Sequence, residues 1–262
     1  TGEQTARAAW NAEAGVLQLH SLPRSGLTRV RNSLLKHARG RILISTNDDV
    51  VVDRDFVAAH IQAHAAARTV GRRIVASGDS RWRVFPDDTA WDRLVRETPL
   101  IFFDRVMREP GHDPDKDWGF RHAWGLNMSA ELAAVREVGG FTPFPAWYGY
   151  EDNELAFKLA ERFGPMPVRF TPRALLEHDH RVSPLEYLRR EYSLGYAALG
   201  FARTSPACAR ALFGRDVTLA EELDYARAFV RNERTAAVRL VRAFTGLGSV
   251  AADTVDGARL DA

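Results

Sequence analysis

Two adjacent carboxylates, Asp48 and Asp49, stand between the apolar runs Ile42-Leu43-Ile44 and Val50-Val51-Val52. The first run reads as a buried strand that stops at Ser45-Thr46-Asn47. Carboxylates at the carboxyl end of such a strand lie where open α/β sheets bind ligands. They suit a hard divalent cation that also bridges to phosphate oxygens. The plainer reading is that they are turn and cap residues, with Asp53 capping a helix that begins near Phe56. A second acidic cluster, about a hundred residues on, favours the chemical reading: Tyr148-Gly149-Tyr150-Glu151-Asp152-Asn153-Glu154. Acidic side chains in the first turn of a helix are stabilised by its dipole, and an ionised carboxylate is what a general base must be. His178 follows a short apolar run. A neutral imidazole beside carboxylates completes a usable divalent site. His180 is two residues on and would share a strand face with it, so either can be the ligand.

Elements must place these groups. The spacing predicts a helix over Gly2–Ala14, a strand over Val16–His20 and a helix over Leu27–Ala38, ended by Gly40. The acidic strand follows. A helix is predicted over Phe56–Arg68, with Phe56, Ala59, Ile61 and Ala63 available for burial, and a strand over Ile74–Gly78. Alternating helix and strand argues for an α/β fold with a mostly parallel sheet and helices on both faces. Asp79–Arg121 is irregular and rich in Trp and Phe, with one or two helices in Trp91–Arg108 and a mobile Pro110–Asp117. Its aromatics suit a subsidiary core, or stacking on a sugar or base. His122–Met128 reads as a strand, and Ser129 as the cap of a helix reaching Val138. Asp152–Phe163 reads as a helix, and Val168–Thr171 and Ala174–Glu177 as short strands split by Pro172. Long helices over Pro184–Arg203 and Thr218–Phe244 form a C-terminal helical appendage, giving a core over 1–182 and an extension over 183–262. Gly246–Ala262 reads as a frayed tail.

The chain has 262 residues and a formal net charge of +2. That length is enough for one large α/β domain with an appendage. Near-balanced charge gives no reason to expect a nucleic-acid partner. A single cysteine, Cys208, excludes an intrachain disulfide and a Cys-based zinc site. It fits a reducing, cytoplasmic compartment. No run is long enough to cross a bilayer and no signal peptide is visible. The chain starts at Thr1 without methionine, so an upstream segment is expected.

In order and spacing, Gly40–Asp49, Gly139-Gly140-Phe141, Tyr148–Glu154 and His178 resemble the inverting glycosyltransferases of family two, which have a GT-A fold. Arg31-Asn32 lies where that family carries a similar pair on the helix before the acidic strand. The segment from Gly-Gly-Phe to Glu-Asp is also similar to the C-terminal part of the galactosyltransferase group. The resemblance runs from about Thr1 to Gly200. It starts where the family's opening strand, helix and strand have ended, so that unit is expected to be cut off or lost.

The resemblance implies a nucleoside-diphosphate sugar donor and a carbohydrate or lipid-linked acceptor. Asp49, at the last carboxylate of the family's Asp-x-Asp motif, would bind Mg²⁺ or Mn²⁺, with His178 a further metal or diphosphate contact. Asp48 would hold ribose or metal-bound water. Asn47 stands where many members have the first Asp, which removes one charge. Asp152 would be the base for the acceptor hydroxyl, and Glu151 would hold donor or acceptor hydroxyls or exchange roles with it. Arg31, with Asn32 beside it, would face the nucleotide, and Trp124-Gly125 would line the donor–acceptor junction. Tyr148 and Tyr150 wall the approach on the acceptor side.

Two other functions are open at this level: a degenerate sugar-nucleotide scaffold, favoured by Asn47, and, less well, a nucleotidyltransferase using Asp48 and Asp49. Arg227, Arg231, Arg234, Arg239 and Arg242 make the last helix locally basic. It is expected to dock Leu223, Ala226, Phe229 and Val230 on the core; the alternative is peripheral contact with an anionic membrane, at its inner face.

Overall fold

The computed structural model describes residues 18, 20, 22, 23, 25–102, 104–144 and 149–252. The helix expected over Gly2–Ala14, most of the strand over Val16–His20, and Tyr148 lie outside them. In chain order the elements are α1 (Leu27–His37), β1 (Ile42–Thr46), β2 (Val50–Val52), α2 (Phe56–Thr69), β3 (Val75–Trp82), α3 (Ala90–Glu97) and α4 (Asp104–Arg108). A 3₁₀ turn at Phe120–His122 precedes β4 (Asn127–Glu131), α5 (Leu132–Glu137), α6 (Glu151–Phe163) and β5 (Val168–His178). Four helices close the described chain: α7 (Pro184–Thr204), α8 (Pro206–Phe213), α9 (Ala220–Asn232) and α10 (Arg234–Leu247).

The five strands form one sheet in the order β1-β4-β3-β5-β2. The sheet is mixed rather than mostly parallel. Only β3 and β5 pair in parallel; β1–β4, β3–β4 and β2–β5 are antiparallel. Helix–strand alternation predicts crossovers, but β4 enters after the irregular stretch 83–121 and runs against both neighbours. β2 follows β1 closely in sequence yet pairs with β5 at the far edge, so Asn47-Asp48-Asp49 crosses the end of the sheet.

Helices cover both faces, and the alternation along β4 shows how. Met128 and Ala130 face the larger core cluster, with Leu35 of α1, Val135 of α5 and Leu155 and Leu159 of α6. The intervening Asn127 and Ser129 point the other way, toward α2. Phe56 and Ala59 of α2 are buried as expected, but His60 and His64 join them in place of Ile61, which is 45% exposed. His60 Nδ1 and His64 Nε2 lie 2.8 and 2.9 Å from Ser129 Oγ, and His60 Nε2 lies 3.0 Å from Asn127 Oδ1. Asn127 Nδ2 donates to Ala174 O at 2.8 Å. Buried polar groups tolerate this position because they satisfy one another. Burial pulls the pKa of both histidines down, His64 to about 4.

Other boundaries move for local reasons. Ser129 lies within β4 rather than capping a helix, because its hydroxyl is taken by the two histidines. Asp53 does not cap α2; its Oδ1 accepts from Asp55 N in a turn before the helix. β5 is one strand rather than two, since its register against β3 slips between Gly78–Thr171 and Asp79–Leu175 and absorbs Pro172 there. The helix predicted over Thr218–Phe244 is two, parted at Glu233.

The closing helices pack on the core in part. Phe201 of α7 is fully buried against Tyr150 and Phe144, and Phe244 of α10 meets Trp91 edge-on. α9 differs from expectation: no residue of it is buried, and Phe229 and Val230, expected on the core, are 54% and 69% exposed. Among the described residues no helix is long and apolar enough to cross a membrane.

Candidate active site

Strand directions bring the candidate residues to one edge of the sheet. β1, β3 and β5 point the same way and β4 the opposite way. The carboxyl ends of β1 and β5 therefore share an edge with the amino end of β4. That edge carries Asp49, Trp124-Gly125 and His178.

Asp49 is held there by its backbone, whose carbonyl accepts from Asp179 N at 2.8 Å, next to the Val50–His178 pair of the β2–β5 ladder. Its Oδ2 lies 3.3 Å from His178 Nε2 and 3.6 Å from His180 Nδ1, and the two imidazoles stack at 5.4 Å. Asp49 Oδ1 and His178 Nδ1 are buried without a hydrogen-bond partner, and His178 Nε2 makes only the long 3.3 Å approach to Asp49 Oδ2. Orphaned polar atoms of this kind call for an explanation, and a cation is one. Burial draws the His178 pKa down, against the pull of Asp49, which favours the neutral, metal-binding imidazole. The donor set is incomplete. Among the described residues no three His, Cys, Asp or Glu side chains are arranged as a ready cage. A carboxylate and an imidazole fit Mg²⁺ or Mn²⁺ where substrate oxygens and water supply the other positions. Asn47 and Asp48 are exposed beside them.

The second acidic pair opens α6. Tyr150 precedes the helix with φ 68, the only non-glycine residue at positive φ among those described. Such strain persists where surroundings over-determine it, and here they do. The Tyr150 ring stacks on Phe201 at 4.9 Å and its hydroxyl donates to Leu194 O at 3.1 Å. The ring is therefore fixed by its packing on α7. The turn sets Glu151 and Asp152 in unlike environments. Asp152 Oδ1 accepts from Arg31 Nη1 at 2.5 Å and Oδ2 from Gly125 N at 2.7 Å, with the side chain 21% exposed. Glu151, 3% exposed at its side chain, accepts from Gly149 N at 2.8 Å and lies 3.6 Å from Arg31. Glu154 is structural: it accepts from Thr142 and Ser205 and pairs with Lys158.

Burial first, and the Asp152 charge second, push the Glu151 pKa from 4.5 to about 7; bonds from its own and the Gly149 N–H and the nearby Arg31 oppose this. The folded chain therefore holds this proton more tightly than the unfolded one, and the stabilisation present below pH 4.5 is lost as pH rises through about 7. Glu151→Gln should flatten that slope and make the chain more stable than wild type at pH 8 by about 2–3 kcal/mol. Urea unfolding at pH 5 and pH 8 checks this; equal pH slopes for the two proteins would refute it.

The two halves meet through Trp124-Gly125. Gly125 N binds Asp152, and Gly125 O accepts from Ser45 Oγ at 2.8 Å, at the end of β1. Trp124 meets Phe102 edge-on at 5.8 Å, and Phe102 lies 6.0 Å from His178. The structure thus joins Asp49, His178, Trp124, Gly125, Arg31, Asp152 and Glu151. It sends Asn32 elsewhere: the Asn32 amide bonds both backbone groups of Phe141, at 2.6 and 2.8 Å, tying α1 to the Gly139-Gly140-Phe141 turn. Ser45 carried no functional signal in the sequence, whereas Phe102 and Trp82, which packs on His178 at 4.7 Å, belong to the aromatics of the stretch Asp79–Arg121. Only the aromatic richness of the irregular stretch hinted at the last two.

No family model and no curated protein matches the sequence. Among solved structures, the chain is similar to the mannosyltransferase PcManGT from Pyrobaculum calidifontis in complex with GDP-Man and Mn²⁺. The match covers 95% of this chain and 70% of that one, at 17% identity and a TM-score of 0.44.

Proposed function

We propose that this chain is an inverting glycosyltransferase with a GT-A-type core, moving a sugar from a nucleoside-diphosphate donor to an acceptor hydroxyl by single displacement. The observation that supports it best is the shared sheet edge: Asp49 and His178, with orphaned polar atoms, joined through Trp124-Gly125 to an Asp152 carboxylate held by Arg31. Asp152 takes the proton from the acceptor oxygen as that oxygen bonds to the anomeric carbon and the nucleoside diphosphate leaves. Asp152 is the base rather than Glu151 because it is the more open of the two, and Arg31 and Gly125 N fix its direction. Glu151, buried behind it, sets the entry of α6. Asp49 and His178 would hold Mg²⁺ or Mn²⁺, with His180 within reach of the same carboxylate. When bound there, such an ion would supply positive charge to stabilise a leaving diphosphate. Asp48 and Asn47 remain open to the donor's ribose.

Titration calorimetry of the chain with GDP and UDP, with and without Mn²⁺, tests this. At least one nucleotide should bind, more tightly with Mn²⁺, and Asp49→Ala should remove the metal's contribution while leaving the melting temperature unchanged. Nucleotide binding that ignores both Mn²⁺ and Asp49→Ala would overturn the metal assignment; no binding at all would overturn the function.

A further inference from the structure

Beside the candidate centre lies a cavity of about 400 Å³ whose lining includes Arg81, Arg83, Arg96, Arg105 and Arg108. Glu177 is its single carboxylate. It sits at the same edge of the sheet. Trp82, in its wall, is the register partner of His178 across β3 and β5 and packs on that ring, and Phe102, also in the wall, touches both His178 and Trp124. One aromatic layer separates the cavity from Asp49 and His178.

The guanidinium groups are positioned by the fold. Asp79, 1% exposed, accepts from Arg108 Nε at 2.5 Å on one oxygen and from Arg81 at 2.8 and 2.9 Å on the other. Two guanidinium groups on one buried carboxylate leave a positive charge in excess at that point. Arg108 also donates to Ser80 O at 2.7 Å. Arg83 is set by Asp179 at 2.6 Å and Arg96 by Asp88 at 2.5 Å, both carboxylates outside the lining. The outcome is a pre-formed, cationic, partly aromatic cavity of a size that suits a small ligand. Set against Asp79, Asp88, Asp179 and Glu177, the five guanidinium groups still leave positive charge in excess, which matches a small oxyanion that guanidinium groups bind bidentately.

We propose that this cavity binds the phosphate group of a phosphorylated acceptor, and so places the acceptor hydroxyl toward Trp124 and Asp152. The inference rests on the glycosyltransferase reading for the word acceptor and on the cavity alone for the phosphate. The phosphate can be carried by a sugar or by a lipid, and the two sources are separable with soluble probes.

The test is titration calorimetry of the full chain with glucose 6-phosphate, with glucose, and with monomeric dihexanoyl phosphatidic acid, each with and without GDP or UDP plus Mn²⁺. At least one phosphorylated probe should bind and glucose should not. The tighter probe names the source. The double variant Arg83→Gln/Arg105→Gln, both exposed positions, should weaken that binding at least 10-fold, and Arg83→Lys/Arg105→Lys, which keeps the charge but not the fork, should recover only part of it. Mn²⁺-dependent nucleotide binding should be the same in all variants. The inference falls if neither phosphorylated probe binds under either condition, if binding survives the double Gln substitution, or if the nucleotide displaces the probe, which would make the cavity part of the donor site. The glycosyltransferase reading fails separately, by absence of nucleotide binding.

Discussion

Asp152→Asn should lower turnover by about two to four orders of magnitude while leaving Mn²⁺-dependent nucleotide binding intact, the range a positioned general base supplies. The substitution is close to isosteric. The amide that replaces the carboxylate would keep an oxygen for the Gly125 N–H, which now donates to Asp152 at 2.7 Å, so the Trp124-Gly125 segment should hold its place. What disappears is the capacity to accept the acceptor's proton and the charge opposite Arg31, whose nearest remaining carboxylate is Glu151 at 3.6 Å. Glu151→Gln separates the roles. If Asp152 is the base, Glu151→Gln keeps most of the turnover and alters mainly the pH dependence of stability. If the two exchange roles, Glu151→Gln carries the large loss. Initial rates with saturating donor, set beside calorimetric donor affinity for each variant, decide between them. Near-wild-type turnover in Asp152→Asn would end its assignment as base.

The elements that periodicity describes well were legible: α1, β1, α2 and α6 fall within a few residues of expectation. The acidic pair past the end of β1 and the acidic opening of α6 also lie where expected, because the apolar run before them and the Gly149 break mark where those elements stop and start; their chemistry was less legible, since turn and cap carboxylates look the same in a sequence. Pairing direction was not legible. Apolar alternation says which face of β4 is buried but not which way its neighbours run, and β4 is reached through an irregular stretch that could return from either end. The burial of His60 and His64 was hidden for a related reason. A polar side chain on a helix reads as exposed unless its partners are known, and Asn127 and Ser129 lie 65 to 69 residues away. Asn32 shows the reverse case. The resemblance placed it at the donor, whereas its amide has the shape to close both backbone groups of Phe141 and does so. The arginine cavity is a tertiary product altogether: β3, the segment after it, α3 and α4 each contribute to it.

Gly125→Ala should cost about 100-fold in turnover, nearly as much as altering the base itself. A Cβ at Gly125 would meet Asp152 Oδ1 and Arg31 Nη2 at less than contact distance, so the carboxylate and its guanidinium partner must both move. They cannot yield easily. Arg31 lies over the Phe141 ring at 5.0 Å, and Phe141 is itself clamped by Asn32. Asp152 follows directly on Glu151, whose bond to Gly149 N sets the helix entry. The added methyl is therefore expected to displace the Asp152 carboxylate by about an ångström, and misplacement on that scale carries a loss of roughly 10²-fold in an oriented reaction. The backbone raises no separate objection, since Gly125 is not among the glycines at positive φ. Melting temperature should fall slightly, and Mn²⁺-dependent nucleotide binding should persist because Asp49 and His178 are untouched. A Gly125→Ala protein with unchanged turnover would show that Asp152 does not need its present geometry, and it would weaken the case for a base at that position as directly as an active Asp152→Asn.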